Sequence, residues 1–259
     1  MHKHFSFDFL KTISEQLYAE LETNLGVTVL NPDSLTALRD FQTSNQSLQG
    51  VYVVYYKKLP MYVGKANDIY DRLSQHHEKL SGRLNIDLNQ IGYKAIYLDK
   101  SMSTAANEGL MLMIYNETYN HQMWNGGGFG PKDPGKNRDN TEPGYFDRNF
   151  PIIANFTLTS VSDLETVQSL FTKMKSELPF VFRHQRLESA IGRIPVDLSR
   201  VPKTALELFR TAIKLFPRGW QGAVISYGMV AYRNAGRVYY EFADEVVLPK
   251  RTVARKRSL

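Results

Sequence analysis

The chain predicts an α/β (α+β) fold: a small mixed sheet flanked by helices, preceded by a helical extension and followed by a second α/β block. Three observations carry this reading. Residues 7–25 repeat apolar side chains at intervals of three and four, the spacing of an amphipathic helix. Residues 50–56 and 60–64 are short runs of Val, Tyr and Met joined by 57-KKL-59, which suits two strands and a tight connection. From there the signals alternate as β-β-α-β-α, an order that layers helices on a compact sheet.

Taken in order, Phe9, Leu10, Ile13, Leu17, Leu21 and Leu25 form the apolar stripe of the first helix. A second helix is expected over 34–41, capped by Asp33 or Ser34, before the polar stretch TSNQSLQ. After the hairpin, residues 67–80 predict a helix with Asn67 at its cap, Asp68 and Asp71 in its first turn and Lys79 in its last. The alternation of 93-YKAIYLD-99 predicts a third strand, and the Leu- and Met-rich run 104–116 a buried helix with Thr104 as a possible cap. The segment 125-NGGGFGPKDPGKNRDNTEPGYFDR-148 holds too many turn formers for a regular element. Beyond it, helices are expected at 163–176 and 203–216 and strands at 222–230 and 237–248. In the turn 216-FPRGW-220, Trp220 reads as a core residue beside an exposed Arg218. This gives four parts: 1–47 a helical extension, 48–125 a core, 126–150 a glycine-rich basic loop, and 151–259 a C-terminal extension with a basic tail.

Composition narrows the function. Cysteine is absent, which removes disulfides and thiolate metal sites and makes the cytoplasm the expected location. No apolar run approaches the ~18 residues of a membrane helix, and MHKHFSFDFLK lacks the apolar stretch of a secretory leader. The charge is uneven: residues 1–130 hold 11 Lys/Arg against 13 Asp/Glu, whereas residues 131–259 hold 21 against 13. A basic C-terminal half suits a polyanionic partner, and KRTVARKRSL is either a phosphate-touching tail or a solubilising end.

The hairpin region gathers chemistry-bearing side chains. Tyr52 and Tyr62 can share one face of the strand pair, and Arg72 and His76, four apart, share one face of a helix. Glu108 opens the next apolar helix, where it either caps the start or faces a cation. A carboxylate for a hard divalent metal, an arginine fork for phosphate, and a phenol or imidazole for a proton suit phosphodiester hydrolysis. Each residue alone has an ordinary explanation as packing, solvated surface or cap.

In this order the residues resemble the GIY-YIG nucleases. GVY at 50–52 and YVG at 62–64 match the paired motif, Arg72 and His76 follow, then Glu108, and then Asn120 in 115-YNETYN-120. The stretch 128-GFGPKDPGKNRD-139 further resembles the GFGNHDPG-type loop of one branch, type II restriction endonucleases with GC-rich palindromic targets. The block from 151 to about 250 departs from that branch by its length. The resemblance implies one magnesium ion on Glu108, with manganese as a substitute. It implies Tyr52 as proton acceptor with His76 as relay, or the two exchanged, and Arg72 and Tyr62 on the phosphate or water. Asn120 would order the supporting loop, and Gly64 would let the backbone pass close to the site.

For DNA contact, Lys57 and Lys65 near the hairpin and Lys132, Lys136 and Arg138 in the long loop are candidates. Lys57 with Lys58 also fits a solvated turn. Arg138 either reads a guanine edge or grips phosphate. The implied partners are double-stranded DNA, a second copy of the chain, and a cognate DNA methyltransferase as genetic partner. The competing readings are a homing or repair type of GIY-YIG endonuclease and a catalytically silent DNA-binding protein.

Overall fold

The computed structural model describes residues 8–99, 101, 106, 108–129, 142–233 and 242–254. The chain divides into two compact units: Met1–Leu80 with Asp87–Gly126, and Ser81–Ile86 with Gly127–Leu259.

In the first unit, α1 (Phe9–Ala19) starts on Asp8, whose carboxylate accepts from the Lys11 N–H at 3.0 Å, and it runs on as a π-helical turn over Glu20–Asn24. After β1 (Thr28–Val29) comes α2 (Pro32–Asn45). Asn31 caps it in a reciprocal box with Ser34, and Pro32 takes a position where its missing N–H costs nothing. The cap therefore lies upstream of the expected Asp33 or Ser34, and the helix is longer than 34–41. β2 (Gly50–Tyr56) and β3 (Leu59–Ala66) form the hairpin, α3 (Ile69–Ser81) follows, and β4 (Ile91–Tyr97) completes the sheet. The last helix of the unit is α4 (Glu108–Tyr119); Thr104 lies outside the described residues.

The sheet order is β1-β4-β2-β3, and all its pairs are antiparallel. β3 and β4 run in the same direction but are separated by β2, because α3 carries the chain across one strand. Alternation splits β2 into two faces. Val51, Val53 and Tyr55 pack with Ile13, Leu17 and Leu21 of the N-terminal helix and Met111 and Tyr115 of α4. Tyr52 and Val54 occupy the other face, and both are fully buried.

The second unit begins its described helices with α5 (Tyr145–Asn149), inside the segment expected to lack regular structure. A buried ion pair joins distant stretches of this unit: Arg83 donates to Asp147 at 2.9 Å and to the carbonyls of Phe150 and Ser226. The elements that follow are β5 (Leu164–Thr166), α6 (Val167–Glu177), β6 (Val181–His184), α7 (Ser189–Gly192), β7 (Pro195–Asp197) and α8 (Ala205–Lys214). The chain then runs through β8 (Trp220–Ile225), β9 (Gly228–Arg233), β10 (Glu245–Leu248) and β11 (Arg251–Ala254). β11, β10, β8, β9 and β6 form one sheet in that order, with β6 parallel to β9, and β5 pairs with β7. Buried Phe171, Met174, Phe209 and Ile213 of α6 and α8 share a core with Val224, Met229 and Val247 of the sheet. The single strand expected at 222–230 is two, because the chain turns at Ser226–Tyr227 and pairs Ile225 with Gly228. Trp220 is buried at the start of β8 and Arg218 is exposed.

Candidate functional site

The hairpin sets the geometry. Lys57 and Lys58 have φ of 51° and 69°, the left-handed pair of a tight two-residue turn, and Tyr56 pairs with Leu59 across it. One step on, the register shifts: Tyr55 pairs with Pro60, but Val54 pairs with Tyr62. Met61 is the extra residue of this bulge. Continued without it, the two-residue turn would place Tyr62 opposite Val53, on the face away from Tyr52. With it, Tyr52 and Tyr62 lie diagonally on one face, ring centroids 6.1 Å apart.

Tyr52 pairs directly with Gly64, and its ring lies across that glycine. A Cβ on Gly64 would fall 2.4 Å from the ring and from the hydroxyl. The backbone approach expected at Gly64 is thus filled by the tyrosine.

α3 is started by Asp68, whose carboxylate accepts from the Asp71 N–H at 3.0 Å, rather than by Asn67. One turn separates Arg72 and His76. His76 is buried against the tyrosines, with Nε2 2.8 Å from the Tyr52 hydroxyl and its ring edge-on to Tyr62 at 5.1 Å. Arg72 donates to Gln75 at 2.9 Å and also reaches the Tyr52 hydroxyl. Glu108, at the start of α4, lines an open cleft with Lys65, Asp68, Asp71, Arg72 and Gln75. Its carboxylate accepts from the Lys65 main-chain N–H, and the Lys65 ammonium donates to the Ala106 carbonyl at 3.3 Å.

The protonation states follow from this packing. Burial pushes the Tyr52 hydroxyl well above the usual phenol range, with Tyr62 adding to it and Arg72 opposing. Tyr62 is raised by burial and then by Glu108. Burial, with Arg72 and Lys79 beside it, depresses His76 to about 3, so the imidazole is neutral at physiological pH. Loss of water around the Glu108 carboxyl raises it, and Arg72 and Lys65 work against the shift.

The structure therefore brings together Tyr52, Tyr62, Arg72, His76 and Glu108. Asn120 stands elsewhere. It takes a left-handed φ of 47° directly after α4 and lines a separate hollow with Leu112, Asn116 and Asn125. Lys57 is exposed at the turn with its ammonium 5.1 Å from the Tyr56 ring. Lys132, Lys136 and Arg138 lie outside the described residues.

Two supporting residues escaped the sequence reading. Asn125 acts as an extra strand segment on β3: its Oδ1 accepts from the Val63 N–H at 3.0 Å, and its Nδ2 donates to the Val63 carbonyl at 2.8 Å. Val63 lies between Tyr62 and Gly64, so this pair fixes the edge that carries both. Its only signal was an Asn ahead of a glycine run, which reads as a turn. Buried Gln42 of α2 donates to Asp68 at 3.1 Å and accepts from the Tyr70 N–H at 2.8 Å, which tethers the start of α3.

Compared with known families, residues 48–106 match the GIY-YIG catalytic domain. No curated protein matches the chain. The matched segment contains the hairpin, α3 and β4, and ends just before α4. It is a nuclease domain, with DNA as its substrate. Among the described residues, no helix is long and apolar enough to cross a membrane.

Proposed function

We propose that the protein is a type II restriction endonuclease that hydrolyses double-stranded DNA at a specific, palindromic, GC-rich site with one divalent metal ion. The observation that carries this reading is the buried Tyr52–His76 contact at 2.8 Å, standing beside Arg72 and a carboxylate that opens to a cleft. The GFGPKDPG stretch supports the restriction branch.

The donor set suits a hard cation. Among the described residues, no group of three or more His, Cys, Asp or Glu side chains is placed to hold a metal alone. One carboxylate, Glu108, with the remaining positions left to water and phosphate, fits magnesium, with manganese as a substitute, and does not fit zinc. Bound there, the ion supplies charge stabilisation for the phosphate oxygens.

The chain's own residues do the rest. The Arg72 guanidinium grips a phosphate oxygen and offsets charge developing on the phosphorus centre. Tyr52 Oη accepts the proton of the attacking water while its own proton passes to Nε2 of neutral His76. A phenol held above its ordinary range is a poor anion and an imidazole held near 3 is a weak base, so the two transfers run together and the proton is passed on to solvent rather than held on either ring. Tyr62 orients the water, Gly64 leaves room for the Tyr52 ring, and Asn120 orders the loop after α4. Lys57, Lys65, Lys132, Lys136 and Arg138 contact the duplex. A palindrome presents two equivalent bonds and each chain carries one site, so the working form on DNA is a homodimer. A cognate methyltransferase would protect the host's own sites, and the cytoplasm is where all three would meet.

The test is digestion of unmethylated phage DNA with magnesium, followed by sequencing of the fragment ends. Discrete fragments sharing one palindrome at their ends are expected. Ends with no common sequence would leave a nuclease but remove the restriction reading, and intact DNA with either magnesium or manganese would remove both.

A further inference from the structure

Behind the Tyr52 face, a second carboxylate is held by tyrosines. Glu22 lies in the π-helical turn after α1. Tyr115 Oη donates to its Oε1 at 2.8 Å, Tyr119 Oη donates to its Oε2 at 2.8 Å, and Tyr55 donates to Oε1 as well. The Lys94 ammonium stands 3.5 Å from Oε2, and the two side chains are 6% and 16% exposed. Burial works to raise the Glu22 carboxyl, yet the tyrosine hydroxyls and Lys94 outweigh it and hold it below the usual range.

These partners come from β2, β4 and α4, and α4 is the helix that Glu108 opens. Glu108, Met111, Tyr115 and Tyr119 fall at helical intervals of three and four, along one stripe. The stripe gripped by Glu22 is thus the one carrying Glu108. Apolar packing specifies this orientation weakly, because residues 110–114 read LMLMI on every side. A slip of one residue would move α4 about 1.5 Å and turn it by about 100°. That would take Glu108 from Arg72 and the Lys65 N–H. Two hydroxyls one turn apart, bonded to the two oxygens of one carboxylate, fix rotation and rise together. Register is the best-attested use of a buried ionic group, and a π-helical turn often marks a functional position.

We infer that Glu22 is a positioning residue of the nuclease site, setting the rotation and register of α4 so that Glu108 stays at the cleft. The inference rests on the proposed metal-holding role of Glu108.

The experiment compares the wild-type chain with Glu22→Ala, with the double variant Tyr115→Phe/Tyr119→Phe, and with Leu30→Ala. Leu30 is a buried residue whose N–H donates to the Ile91 carbonyl of β4 and which is not among the hydrogen-bond or ion-pair partners of Glu22, so it controls for lost stability. Mn²⁺ uptake is read by paramagnetic resonance with a non-hydrolysable duplex bound, whose phosphate fills positions that Glu108 leaves open, and single-turnover cleavage of phage DNA with magnesium is read well below each unfolding midpoint. Glu22→Ala should weaken Mn²⁺ uptake and slow cleavage by about 10- to 100-fold, the cost of losing a group that orients a metal ligand, while DNA affinity by gel shift is unchanged. The tyrosine double variant should move both readouts in the same direction, and it carries the test alone if Glu22→Ala does not fold. Leu30→Ala should change neither. Wild-type uptake and cleavage in the folded network variants would overturn the inference and leave Glu108 untouched. Equal losses in Leu30→Ala would overturn it in favour of general destabilisation. A wild-type chain that takes up no Mn²⁺ would remove the metal reading and this inference with it.

Discussion

The two faces of β2 carry nearly the same chemistry. On one, Tyr52 meets Tyr62, His76 and Arg72, with Glu108 close by; on the other, Tyr55 meets Tyr115, Tyr119 and Lys94 around Glu22. Tyrosines, a cation and a carboxylate occur in both. The difference is how the carboxylate is satisfied. Glu22 has hydrogen-bond donors on both oxygens inside the core, so nothing remains for a ligand. Glu108 has one main-chain N–H and a neighbouring arginine, and it belongs to a side chain exposed at a cleft. Residue types supply the chemistry, whereas access decides whether it is used on substrate or on the fold.

The largest expected effect tests the open side of that contrast. Glu108→Gln keeps size and hydrogen bonding but removes the charge, so cleavage should fall by at least about 10²-fold, as for loss of one preorganised charge-stabilising group. Thermal stability and gel-shift affinity should barely change. Near-wild-type cutting at saturating magnesium would make Glu108 a helix-start residue like any other.

Tyr52→Phe comes next. It keeps the ring over Gly64 and deletes only Oη, so single-turnover cleavage should drop by roughly 10²-fold, the lower range for a lost proton acceptor. The stability loss should be about 1 kcal/mol, that of one hydrogen bond. A variant that cuts normally would hand the proton to another group.

Gly64→Ala tests the packing under the site. The new methyl would lie 2.4 Å from the Tyr52 ring and hydroxyl, so the ring must move. Denaturant unfolding should show a loss of about 1 to 3 kcal/mol, the usual cost of overpacking, together with slower cleavage. Unchanged values for both would show that the ring has room.

The smallest effect concerns pH. His76 titrates near 3 in the fold against an ordinary value of 6.5, so below about pH 6.5 the unfolded chain binds a proton that the folded chain refuses. Stability from the neutral imidazole is therefore complete above the unfolded value and is lost as pH falls toward 3, by at most about 1.4 kcal/mol per pH unit. His77 and His184 are shifted the same way. The measurement is the difference between wild type and His76→Gln from pH 7.5 to 5 (roughly the range of the imidazole titration). Parallel curves would mean that His76 is protonated in the fold without cost.

Local patterns made part of this legible. Helical spacing put Arg72 and His76 on one face of α3, a short hydrophobic run before a tight connection gave β2, alternation gave β4 two residues late (93–99 against Ile91–Tyr97), and an isolated acid ahead of an apolar run marked Glu108. Such features follow from interactions within one turn or one strand, and a sequence displays them directly. What escaped depends on partners far along the chain. Asn125 bonds to Val63 across 62 residues, and Tyr55, Tyr115 and Tyr119 reach Glu22 from 33, 93 and 97 residues away. The short strands of the second unit were missed for the same reason: three or four residues carry no period of their own, and pairing alone makes them strands. The sequence by itself determined which side chains were available to the site and on which elements they ride. Tertiary structure alone decided that the bulge at Met61 turns Tyr62 toward Tyr52, and that one carboxylate is enclosed while the other opens to a cleft. Strand register and burial are properties of the assembled sheet, and a shift of a single residue reverses the face of every side chain beyond it.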